Sequence, residues 1–72
     1  MAWWLADSIG GRISLTPLGD DKEVAIIDAR SEWGRLSESE KKRRNGFFIV
    51  LCEDENLSSD AWKERIDIRG ME

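Results

Sequence analysis

A chain of 72 residues with 11 basic and 15 acidic side chains, net charge -4, has material for one hydrophobic core and so for one domain, residues 1–72. The acidic balance argues against sequence-independent nucleic-acid binding, where neutralising phosphates dominates affinity. With no His and one cysteine, Cys52, the chain can form no internal disulfide and offers no His-based metal or catalytic set.

At this length a core rarely supplies more than about 3–5 kcal/mol of net stability. The aids still open are dense packing of the four Trp and two Phe and self-association, so a homodimer or an obligate larger partner is expected. The chain starts at Met1 and reads as a complete small gene product. The apolar start Met1 to Ala6 is too short and lacks the basic flank of a signal peptide. No stretch approaches the ~20 apolar residues of a membrane span, and the longest apolar run is Phe47 to Cys52. A lone cysteine points to a reducing compartment. The expected location is therefore the cytoplasm, or a host cell's cytoplasm.

Ala2 to Ser8 has strand propensity and meets a turn at Ile9-Gly10-Gly11. Arg12 to Leu18 alternates, with Ile13, Leu15 and Pro17 on one side, as a half-buried strand does. Pro17 has no N–H to give a ladder and belongs at a strand end or sheet edge. After a turn at Gly19 to Lys22, the β-branched Glu23 to Ala29 reads as a second strand, making residues 12 to 29 a hairpin. The competing reading is a helix from about Asp21, because Ile26, Ala29, Trp33 and Leu36 recur at helical spacing.

Ser37 to Glu40 fits a capping box. Its acids open the turn and Lys41 to Arg44 close it, complementing the helix dipole. Asn45-Gly46 reads as a left-handed stop. Phe47 to Cys52 reads as a central strand buried on both faces, and Glu53 to Asn56 as a loop. Ser58 or Ser59 would cap a second helix that carries Asp60, Trp62 and Ile66 and ends at Gly70. A terminal strand containing Ile66 and Ile68 is the alternative.

The expected fold is α+β: a small antiparallel or mixed sheet of three to four strands with two short helices on one face, in the order β-β-β-α-β-α. The expected core is Leu5, Ile13, Leu15, Val24, Ile26, Trp33, Leu36, Phe48, Val50, Trp62 and Ile66.

The chemistry-bearing residues are few. Lys41-Lys42-Arg43-Arg44 could touch nucleic acid, but the same residues are explained by a well-closed helix end. The strand after them departs from the stacking strand of RNA-recognition modules, because Phe48 stands at the small-residue position and Ile49 at the second aromatic one. Alternation then sends Phe47 and Phe48 to opposite faces. Glu53 to Glu55 end an apolar strand but lack the Gly-rich loop ending in Lys and Ser or Thr that a phosphate site needs, and nothing in the sequence fixes Asp20, Asp21 and Asp28 beside them as a two-carboxylate metal site. Cys52 has no His to act as its base. No catalytic residue, metal or cofactor is expected. Trp3-Trp4 alternates across its strand, so one indole should point away from the core, and Trp is favoured at binding hot spots.

The expected function is therefore a small acidic cytosolic binding protein that occupies a protein partner's surface, with no enzymatic activity and no membrane contact. Its contact residues would be Trp3, Trp4, Asp20, Asp21, Glu53, Asp54 and Glu55. A concrete form is a phage- or mobile-element-encoded inhibitor whose carboxylates imitate phosphates, with charge complementarity speeding encounter. The alternative is a nucleic-acid-binding regulator using Lys41, Lys42, Arg43 and Arg44.

Overall fold

The computed structural model describes residues 2–53 and 61–69. Strands β1 (Ala2–Ile9) and β2 (Arg12–Gly19) are followed by helices α1 (Lys22–Arg35) and α2 (Glu38–Arg43), then β3 (Arg44–Cys52) and β4 (Trp62–Asp67). The strands form one antiparallel sheet in the order β2-β1-β3-β4. The α+β class and the sheet with two helices on one face are as the sequence indicates. In two places the structure takes the competing reading: residues 23–29 are helical, and residues 62–67, with Ile66, are a strand. The chain order is thus β-β-α-α-β-β, and the hairpin is β1–β2 rather than residues 12 to 29.

The hairpin turns at Gly10 and Gly11, whose φ values of +55° and +87° suit a type I′ turn. The Asp21 side chain accepts from the Val24 N–H at 3.1 Å and caps α1. Ala25 and Ala29, one helical turn apart and fully buried, are where α1 meets the sheet. Small residues let the helix backbone come close, so the β-branched Val24 and Ile27 are left exposed. Strand propensity in residues 23–29 loses to this packing and to the cap.

Ser37 caps α2 as its capping sequence indicates, accepting from the Glu40 N–H at 3.2 Å. The left-handed stop at Asn45-Gly46 is not used. Arg44 leaves the helix with extended dihedrals, φ -83° and ψ 125°, and the chain runs straight into β3. The proposed caps Ser58 and Ser59, together with Asp60 and Gly70, lie outside the described residues.

The sheet has two unequal faces. The helix-bearing face packs Trp3, Leu5, Phe47, Ile49 and Ile68 against Ala25 and Ala29, flanked by Leu18, Ile26, Trp33, Leu36, Leu51 and Ile66. The opposite face holds a smaller cluster of Ala6, Phe48 and Val50, flanked by Trp4, Leu15 and Trp62. Of the expected core, Ile13 and Val24 are exposed at 51% and 46%.

Candidate interaction surface

The strand pairing decides what the two Trp of β1 do. Trp3 lies opposite Leu51 of β3 and points under the helices, 3% exposed, with the Lys22 ammonium 6.0 Å from its ring. It is a core residue and not a contact residue. Trp4 lies opposite Val50 and Pro17 on the face without helices, where it is half-buried. Trp62 joins that face and meets Phe48 edge-on at 5.6 Å. The Arg65 guanidinium sits 3.9 Å from the Phe48 ring centroid and covers it. The alternation of β2 carries Ile13, Leu15 and Pro17 onto the same face, beside Ser8, Ala6 and Trp4 respectively. The result is an apolar strip of Ile13, Leu15, Trp4 and Trp62. The sequence shows the alternation of Ile13 and Leu15, but not that α1 and α2 cover only the other face.

The acidic residues separate in sequence come together at one end of this strip. β2 and β3 flank β1, and Trp3 lies opposite both Gly19 and Leu51, so the C-terminal ends of β2 and β3 share an edge of the molecule. Asp20, Asp21 and Glu53 follow those ends, and all three are exposed, with one oxygen of Asp21 engaged in capping α1. Two strand spacings put the two chain exits about 10 Å apart. Glu53 is 3.8 Å from the Lys63 ammonium, an exposed pair worth little. Asp54 and Glu55 lie outside the described residues.

The basic cluster lies at the other end, with Arg44 turned inward and Lys42 and Arg43 exposed. Arg44 donates from Nη1 to the Glu40 carbonyl at 2.9 Å and to Glu40 Oε2 at 2.8 Å, and from Nε to Asp7 Oδ1 at 3.2 Å. Its side chain is 10% exposed. The Arg44 hydrogen bond holds the Glu40 carboxyl below its ordinary range, and Glu40 in turn pushes the Arg44 guanidinium up. Arg43 is 3.7 Å from Glu40, and Lys41 is 3.9 Å from Glu38 and 5.5 Å above the Trp33 ring. Lys42 is exposed. Three of the four cations thus have carboxylates of their own chain as neighbours, a geometry that closes a helix end more than it displays charge.

Cys52 is buried where β3 ends. Among the described residues no group of three or more His, Cys, Asp or Glu could hold a metal ion. A shallow concavity lined by Ile27, Arg30 and Ser31 lies on the outer side of α1 and brings no general base or nucleophile pair together. Among the described residues no helix is long and apolar enough to cross a membrane. Compared with protein families, curated proteins and solved structures, the chain matches none.

Proposed function

We propose that the protein is a binding domain that docks a protein partner with the helix-free face of its sheet and the acidic end beside it. One observation carries the reading: the fold gathers Asp20, Asp21 and Glu53 at the end of an apolar strip that contains a half-buried Trp4. An aromatic anchor bordered by charge is the usual make-up of a binding hot spot and its rim. The carboxylates select a basic surface and speed its approach. In the finer form of this proposal that basic surface is one that ordinarily holds nucleic acid, and the carboxylates, Asp20 and Glu53 foremost, stand in for phosphates.

The test is capture from a lysate of the native cell, comparing the wild type with an Asp20→Asn, Glu53→Gln variant and with Trp4→Ala. Both substitutions should reduce capture of the same protein, and the charge variant should also flatten its salt dependence. A partner held equally well by all three, or no partner at all, would remove the proposal. Competition of the captured protein with DNA or RNA tests the phosphate-imitating form. A partner that binds the chain and nucleic acid at once would rule that form out.

A further inference from the structure

We propose that the chain pairs with a second copy of itself through the outer edge of β2, antiparallel, about a two-fold axis at Ser14. The argument starts from the hydrogen-bonding phase of the hairpin. A two-residue turn makes its flanking residues, Ile9 and Arg12, a hydrogen-bonded pair. Pairs then alternate, so Asp7–Ser14 and Leu5–Thr16 exchange bonds, while Ile13, Leu15 and Pro17 turn their backbone groups away from β1. Pro17 therefore stands where a missing N–H costs the sheet nothing. The N–H and C=O groups of Ile13 and Leu15 point outward, and no strand among the described residues pairs with that side of β2.

The two edges of the sheet are guarded differently. β4 carries Lys63, Glu64, Arg65 and Asp67 along its length, which is how exposed edges are protected from strand addition. Between Arg12 and Pro17, β2 has neither a charge nor a proline, and it is largely exposed. Pro17 also narrows the register. Centring on Ser14 pairs Ile13 with the second copy's Leu15 and Leu15 with its Ile13, each pair exchanging two backbone bonds. Centring one residue pair further along would waste a bond on Pro17.

Charge favours a second copy as the occupant. Along the edge itself, β2 opens on the exposed Arg12 at the hairpin end and runs into the exposed Asp20 and Asp21 at the other. Antiparallel pairing of like strands lays the basic end of each copy beside the acidic end of the other. The two-fold axis stands perpendicular to the sheet, so the apolar strips become continuous and the 51%-exposed Ile13 gains apolar neighbours. This interface adjoins the apolar strip and acidic end of the partner-binding proposal, but its backbone bonds are those of the β2 edge, so variants at Ser14 and Ile13 test it without altering Trp4, Asp20 or Glu53.

Sedimentation velocity from micromolar to millimolar concentration tests it. The wild type should pass from monomer to dimer, at higher concentration when salt is raised. Ser14→Lys sets two like charges directly across the axis and should weaken the dimer roughly fivefold or more, with the melting temperature of dilute protein unchanged because Ser14 is exposed. Ser14→Cys fixes the register. Residues facing each other in a non-hydrogen-bonded pair have Cα atoms about 4.5 Å apart, within the disulfide range, whereas Ile13 and its own copy lie beyond roughly 7 Å. Under a glutathione redox couple, S14C should give a covalent dimer and I13C should not, with the wild type as the control for Cys52. A monomer at every concentration, or equal cross-linking of S14C and I13C, would overturn the proposal.

Discussion

Arg44 joins α2, from which it emerges, to the distant strand β1. Its guanidinium closes α2 through Glu40 and ties that helix to β1 through Asp7, 37 residues away. Nearby, the Asn45 side chain accepts from the Gly10 N–H at 2.6 Å, and its carbonyl accepts from Arg69. Charge-assisted bonds of this kind contribute more than neutral ones, so Arg44→Met should cost about 2 kcal/mol, or about 10 °C in melting temperature. The loss should depend on pH. The Glu40 carboxyl is held below its ordinary value of 4.5 by the Arg44 hydrogen bond. A depressed carboxylate contributes stability above that ordinary value, and the contribution disappears as pH falls through the folded value. The wild type should therefore lose more melting temperature than Arg44→Met between neutral pH and pH 3. Parallel curves for the two proteins would show that the pair does not titrate with folding. The sequence shows the local half of this arrangement, a basic helix end four residues after an acid, and hides the Asp7 half, which exists only once β1 and β3 pair.

The elements differ in how openly the sequence shows them. β1, β2 and β3 are legible because alternation, a Gly-Gly turn and a long apolar run each have one physical reading here. α1 is legible only as one of two readings: Ile26, Ala29, Trp33 and Leu36 recur at helical spacing and all belong to the helix-bearing core, but the β-branched Val24 and Ile27, which the structure leaves exposed, give the same stretch strand propensity. β4 misleads the other way. Trp62 and Ile66 are spaced for one helix face, but an irregularity in register opposite Leu51 and Cys52 sends Trp62 and Ile66 to opposite faces of the sheet. The hairpin turn supplies a direct test of element-level reasoning. A Cβ added at Gly10 or Gly11 meets no atom within 4 Å, so any penalty there is purely backbone strain. Asn suits the first position of a type I′ turn, and a β-branched residue suits neither. Gly10→Asn should leave the thermal midpoint almost unmoved, whereas Gly11→Val should destabilise by about 1–2 kcal/mol. Equal effects from the two would mean that the turn is not of the primed type.

The whole molecule is closed by its own N-terminus. β1 is the second strand of the sheet and carries Trp3 and Leu5, yet one of its neighbours, β3, begins only at Arg44. Each half of the chain therefore depends on the other. The hairpin and α1 hold most of the helix-bearing side, but Phe47 and Ile49 supply the large side chains that Trp3 and Leu5 pack against. An isolated hairpin is marginal in water, and small cores lose viability steeply as area is removed. The sequence makes the thin core evident from length, and burial of β3 on both faces evident from the unbroken run Phe47 to Cys52; it does not reveal that one face lies under helices and the other is half open. That division is why Trp4 and Ile13 remain accessible to a partner and why the β2 edge matters. A chain ending at Arg43 should consequently lack a cooperative thermal transition and show little helix by far-UV circular dichroism. Adding a synthetic peptide of residues 44–69 should restore the helix signal, because the missing contacts are supplied in trans across the β1–β3 pairing. Cooperative melting of the truncated chain by itself would mean that the hairpin and α1 form a core without β3, and would contradict the packing described for Trp3 and Leu5.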